Sequence, residues 1–147
     1  MKVWIQRVTE ASVTVDGKVI AEIGKGYLAL FAVTHDDTAE KAARLAGRVA
    51  KLRIFEDESG RTNHSIDDVA GSVIVVSQFT LYADTRHGHR PGFSAAAKPE
   101  LAIPLYERFV SDLKALLGDS RVQTGRFGAD MKVKLLNDGP FSVELVE

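Results

Sequence analysis

Alternation of apolar and polar residues dominates the first third of the chain. "VWIQRV" (3–8) and "ASVTVDGKVIAEIG" (11–24) repeat with the period of two expected of half-buried strands, and Asp16-Gly17 marks a hairpin turn between them. "YLALFAVT" (27–34) is more uniformly apolar, which predicts a strand nearer the centre of a sheet. The period then changes. Asp37 followed by Glu40 has the form of a capping box, and Ala42, Leu45, Ala46, Val49 and Leu52 fall on one face of the helix that follows. "RIFE" (53–56) returns to a strand, and "DESGRTNHS" (57–65) has the composition of a turn-rich loop.

A second continuous apolar run, Val73 to Val76, ends abruptly in Ser77, Gln78 and Thr80. Three hydrogen-bonding side chains at the end of a core strand need partners, because each left unpaired on burial costs about 1–3 kcal/mol. A polar loop from Asp84 to Lys98 leads to a second helix. Pro99 suits its first turn, Leu101, Leu105, Phe109 and Leu113 form an i, i+4 stripe, and Gly118 closes it. Pro104 sits awkwardly in this pattern, and the spacing leaves open a helix that begins nearer Ile103. "MKVKLLNDGPFSVELVE" (131–147) reads as two strands around a turn. The sum is a single mixed α/β domain over 1–147, with largely antiparallel, barrel-like sheets and two helices. Its hairpins separate it from a doubly wound parallel fold.

Composition narrows the chemistry. The 147 residues are enough for one domain with a real core, and 45% hydrophobic against 27% charged is ordinary for a globular protein. There is no cysteine, so disulfides, thiolate metal sites and cysteine catalysis drop out together. No apolar run reaches the length of a membrane span and "MKVWIQRV" lacks a signal-peptide pattern, so a cytoplasmic address is expected. A formal net charge of −1 provides no general attraction for nucleic acid, and an RNA partner would need a local basic patch.

Several candidate sites compete with plainer readings. His87 and His89 near Asp84 have ligand types suited to zinc or manganese, but no recognised metal spacing accompanies them, and they read first as solvated loop histidines. "GKG" (24–26) lacks the remaining residues of a phosphate loop and reads as a turn. Lys41, Arg44, Arg48 and Lys51 on the first helix read as a solvated face, or as an RNA patch. Ser77 and Thr80 invite a hydroxyl nucleophile, yet no acid or base lies inside "SQFTLY" and no nucleophile elbow is present. The same hydroxyls would serve to satisfy a strand end, or to position and polarise a substrate.

"SQFTLYADT" (77–85) and "NDGP" (137–140), together with "IQRVTEASVTVDG", "RPGFS" (90–94) and "QTGRFGADM" (123–131), resemble the D-aminoacyl-tRNA deacylase family from end to end. The resemblance implies a homodimeric cytoplasmic enzyme that cleaves the ester between a D-amino acid and the 3′-terminal adenosine of tRNA, with no metal or other cofactor. Its partner would be the aminoacylated tRNA 3′ end, not DNA or a membrane. Ser77, Gln78, Phe79 and Thr80 match the family's pocket motif. Gly139-Pro140, in cis, would be a chiral filter inserted into the partner subunit's site, and Arg7 matches the arginine that pins this dipeptide. Phe127 and Met131 lie in a further motif that the family places near the pocket. Phe141-Ser142 stands where the family commonly has Val-Thr, which bears on the packing just beyond the dipeptide.

A filter that excludes L side chains at Cα has nothing to exclude in glycine, so glycine mischarged on a non-cognate tRNA such as tRNA-Ala is expected to be a second substrate. Without a local base for Thr80, the ribose 2′-OH of the substrate and backbone N–H groups near Phe79 and Thr80 are the favoured contributors to hydrolysis. Two other readings stand beside this one. They are a non-catalytic module that holds the aminoacylated end, and a metal-dependent hydrolase using His87, His89 and Asp84.

Overall fold

The computed structural model describes all 147 residues. Its spine is β1 (Lys2–Val15), a 14-residue strand with neighbours on both edges. β2 (Lys18–Ile23) follows through the turn at Asp16 and Gly17, whose φ values of 51° and 75° suit the twist of a two-residue hairpin. β3 (Gly26–Ala32) runs antiparallel to Lys2–Val8, so β2 and β3 share one edge of β1 in succession. β6 (Ser72–Ser77) lies parallel to β3, and β7 (Val122–Thr124) lies parallel to β6. A small hairpin of β4 (Arg53–Glu56) and β5 (Thr62–Ser65) stands apart. The side-chain amide of Gln123 in β7 exchanges two hydrogen bonds with the backbone of Glu22 in β2, at 2.8 and 2.6 Å. These bonds bring the ends of the sheet almost to closure as a barrel.

Two helices cover one face. α1 (Ala39–Ala50) buries Ala42, Leu45, Ala46, Val49 and Ala50, while the expected Leu52 lies just past its end and is half-buried. The N-cap is displaced by one residue, and no capping box forms, since Lys41 occupies the position that would need Glu or Gln. Thr38 is the N-cap and accepts from the Lys41 amide, because the Asp37 carboxylate is committed elsewhere, to the Met1 ammonium and the Thr34 amide. α2 (Pro99–Leu117) starts at Pro99 as the sequence predicts, and Pro104 lies within it without ending it. Its ring is on the exposed face, where the Glu100 carbonyl that loses its helical partner can be hydrated. Phe109 of α2 is buried against Phe31 of β3, with ring centroids 4.5 Å apart. This face forms one core, and the barrel interior, with Val8, Val13, Leu28 and Ile74, forms a second.

The C-terminal hairpin expected from the sequence is instead one interrupted strand. β8 (Lys132–Val146) stays antiparallel to β1 throughout. Between the pairs Val8↔Asn137 and Gln6↔Ser142, however, β8 advances five residues while β1 advances two. The surplus bulges out as Asp138–Phe141 and contains the cis Gly139-Pro140 bond. "DGP" has the composition of a reversal, but β1 offers a full edge, and backbone pairing along it keeps the chain direction. β5 and β7 were not anticipated. Both are short and carry little apolar alternation.

Parallel pairing of β3 with β6 depends on Gly26. A Cβ there would lie 1.7 Å from the Ser72 carbonyl oxygen. Gly26→Ala is expected to lower unfolding free energy by about 3 kcal/mol or more, since the backbones must separate to admit it. Urea denaturation of the two proteins checks this.

Candidate active site

β6 delivers Ser77 and Gln78 from the core to the surface, and the next residues coil into a short 3-10 turn, Phe79–Tyr82. Gln78 N–H closes the parallel ladder on the Phe31 carbonyl at 2.7 Å. The following two amides, of Phe79 and Thr80, open the turn, where the turn itself offers them no acceptor. The Gln78 side-chain amide donates to the Thr80 hydroxyl. No histidine, lysine or carboxylate hydrogen-bonds that hydroxyl, so the fold brings Thr80 no base.

A cavity of about 550 Å³ opens at this strand end. Ser77, Gln78 and Phe79 form one side, and Phe127 and Met131, from the loop joining β7 to β8, form another. Gly128, at φ 74°, turns that loop. Met131 packs on Gly125, where a Cβ would come within 2.6 Å of its sulfur. Tyr106 of α2 lies beneath, its ring edge-on to Phe127 at 6.0 Å and its hydroxyl donating to the Val75 carbonyl at 2.8 Å. Burial raises the Tyr106 pKa well above the usual phenol range, which keeps it a neutral donor.

The third wall is Phe93, Ala96, Ala97 and Lys98, from the segment that the sequence presents only as a polar loop. Backbone and side-chain ties attach it to the end of β3. The Thr34 hydroxyl donates to the Ala95 carbonyl at 2.6 Å, His35 Nε2 meets the Ser94 carbonyl at 2.7 Å, and Ala97 N–H donates to the Val33 carbonyl at 2.9 Å. Phe93 meets Phe79 edge to face, with centroids 5.0 Å apart, so an aromatic pair forms the lip of the cavity. Tyr106, Phe93 and Lys98 were not among the candidates from sequence. "RPGFS" was the available signal for Phe93, whereas a loop's place against a strand end is a tertiary fact.

The remaining candidates form a second group. Arg7, only 5% exposed, spans from the β4 hairpin to the β8 bulge. Its Nη1 donates to the Ile54 carbonyl at 2.6 Å and its Nε to the Asp138 carbonyl at 2.9 Å, while its guanidinium lies 4.9 Å from the centroid of Phe141. Phe141, where the family pattern commonly has valine, therefore packs on the arginine. Gly139 and Pro140 protrude, exposed, beside it, and a Cβ on Gly139 would lie 3.2 Å from Arg7 Nη2. Neither residue of the dipeptide lines the cavity of its own chain.

The loop histidines are not gathered with Asp84. Its carboxylate grips Arg86 through both oxygens, at 2.9 and 2.6 Å, and the Arg86 guanidinium and amide hold its pKa well below the usual carboxylate range. Nowhere do three His, Asp or Glu side chains come together in a metal-binding arrangement.

A barrel-like sheet under two helices, with a donor-rich pocket at one strand end, defines the class of protein. Residues 4–146 match the model of the D-Tyr-tRNA(Tyr) deacylase family, and the chain belongs to that family. It is 55% identical to a D-aminoacyl-tRNA deacylase of Marinobacter nauticus, over 99% of this chain and 93% of the relative. With the D-aminoacyl-tRNA deacylase of Flavobacterium psychrophilum it shares 53% identity, over 97% and 95%. Among solved structures, one described as a c-Myc DNA unwinding element binding protein superposes with a TM-score of 0.95 at 38% identity, covering 100% of this chain and 99% of that one. A probable eukaryotic D-amino acid tRNA deacylase shares the fold, with a TM-score of 0.84 at 19% identity over 98% and 97% of the chains.

Arg7→Ala would leave the Asp138 and Ile54 carbonyls without their donor. A loss of about 3 kcal/mol in stability is expected. Arg7→Lys should recover only part of it, because one ammonium cannot reproduce a fork that reaches two chain segments. Thermal and chemical unfolding of the two variants measures both effects.

Proposed function

We propose that this protein hydrolyses the ester bond of D-aminoacyl-tRNA, releasing the free amino acid and a tRNA with its 3′-hydroxyl restored. The observation that carries the reading is a turn that opens with the Phe79 and Thr80 amides beside a cavity of about 550 Å³, whose wall includes Ser77, Gln78 and Phe79. Amides aimed at the carbonyl oxygen of a bound ester would stabilise the negative charge that develops when water adds to it. Membership of the family and the relatives' shared name support the substrate class.

Thr80 acts in this scheme by position. Its hydroxyl accepts from Gln78 and has no base to activate it, which argues against an acyl-enzyme. The 2′-OH of the terminal ribose, adjacent to the ester, assists the attacking water. The adduct then collapses by breaking the bond to the ribose 3′-oxygen, which leaves with a proton.

Selectivity resides in Gly139-Pro140 of a second subunit. The exposure of the dipeptide supports this, as does its absence from its own cavity. β8 also offers a surface for a partner, since its outer edge is unpaired and it carries Leu136 and Val146 at 57% and 52% exposure. Main-chain atoms held by Arg7 exclude any L side chain at Cα and leave room for D residues and for glycine. Glycine mischarged on tRNA-Ala is accordingly a second substrate.

The test is to assay D-tyrosyl-, glycyl- and L-tyrosyl-tRNA side by side. The first two should be cleaved and the third spared; intact D-tyrosyl ester after long incubation with excess protein would favour a non-catalytic binding module. Thr80→Ala should retain activity within about tenfold, whereas a 2′-deoxy terminal ribose should lower the rate by about a hundredfold or more, the scale of lost proton-transfer assistance. The opposite pattern would assign the chemistry to the threonine.

A further inference from the structure

Most surface cations of this chain are neutralised internally. Arg44 and Arg48 share Glu147, Lys41 bonds Asp37, Arg108 bonds Asp112, Arg121 bonds Asp67 and Lys132 bonds Asp130. The basic face of α1, a candidate RNA patch from sequence alone, is therefore largely spent. The rim of the cavity differs. Lys98 lines it and Arg90 stands in the loop beside it, both are exposed, and neither has an acidic partner. Other unpaired cations lie away from the cavity lining: Lys51 and Arg53 share a separate groove at the end of α1, and Lys114 lies about 24 Å along α2 from Lys98 at the helical rise.

The loop that carries Arg90 is fastened at its base. Asp84 and Gly92 exchange two backbone hydrogen bonds, at 2.7 and 2.9 Å, and the next residue, Phe93, belongs to the lip of the cavity. Asp84, the acid nearest in sequence to the tip, is occupied by Arg86. Two residues, Pro91 and Gly92, separate Arg90 from Phe93, so its Cα lies within about 11 Å of the lip. Lys98, in the wall of the cavity, and Arg90, on the loop that leads to its lip, thus present two free positive charges on the side from which a nucleic-acid strand can enter.

We propose that Arg90 and Lys98 hold backbone phosphates of the single-stranded tRNA 3′ end as it enters the cavity. This rests on the deacylase reading above. An aminoacylated adenosine bound in the pocket must trail its phosphodiester chain across the rim, and the rest of the molecule, with net charge −1, supplies no general attraction. Arginine and lysine without competing carboxylates are suited to that contact, and they position the strand without reading its sequence.

The experiment compares D-tyrosyl-tRNA with 3′-O-D-tyrosyl-adenosine, which carries the same ester and no phosphate. In the Arg90→Gln/Lys98→Gln protein, kcat/KM on the tRNA should fall about tenfold more than on the nucleoside. The fall should appear mainly in KM, and the log–log dependence of kcat/KM on salt should flatten by about 1.4, or about 0.7 for each single-strand phosphate no longer neutralised. An equal loss on both substrates, or no loss on the tRNA, overturns the assignment. Hydrolysis of the nucleoside ester by the variant verifies that the pocket is still formed. If the unaltered protein cleaves neither ester, the deacylase reading itself fails and takes this inference with it.

Discussion

The hydrogen-bonding capacity of β1 is the constraint on which the rest of the molecule is arranged. Fourteen extended residues offer donors and acceptors along two edges, and a strand this buried must have nearly all of them paired. β3 and β2 divide one edge and β8 takes the other. β3 then serves as template for the parallel strand β6, whose end presents the pocket motif, and Gly26 permits the approach of the two backbones. The other edge has a different consequence. Because β8 holds its direction along β1, the three additional residues near Asn137–Ser142 can only bulge outward. Arg7, projecting from β1 at that level, secures the bulge through the Asp138 carbonyl.

One strand therefore organises two features of opposite character. At the end of β6 there is a concave site with a turn and an aromatic lip; at the bulge of β8 there is a convex, exposed dipeptide fixed from behind by a buried guanidinium. A cavity with no attached base and a protrusion with no cavity of its own are each incomplete as catalytic machinery. In the function proposed above the two would be complementary across a pair of chains, for which the unpaired outer edge of β8 offers a surface. Internal ion pairs occupy most of the surface cations, and Lys98 and Arg90 near the cavity are among those left unpaired.

Much of this was legible in sequence because it is periodic or compositional. The β1–β2 hairpin, β3, both helices and the strand ending at Ser77 follow from apolar spacing and turn residues. The residues gathered round the cavity on two of its sides are those that the motifs had singled out: Ser77, Gln78, Phe79, Phe127 and Met131. Where local reading failed, a long-range partner had intervened. Asp37 has the form of a cap, but its carboxylate is claimed by the Met1 ammonium and the Thr34 amide, and Thr38 caps α1 in its place. "DGP" has the form of a reversal until the full edge of β1 keeps the strand straight.

The sequence by itself determined the class of fold, the helical faces and the chemistry available at the end of β6, because these depend on residue type and spacing along the chain. Only the tertiary structure decided that Phe93 and Lys98 close the third wall, that Tyr106 underlies it, and that Arg7 reaches both Ile54 and Asp138. It also decided which cations remain free, since an arginine on a helix face and an arginine on a loop are indistinguishable until their carboxylate partners are located. Such facts depend on contacts between residues tens of positions apart, and no local pattern encodes the geometry of those contacts.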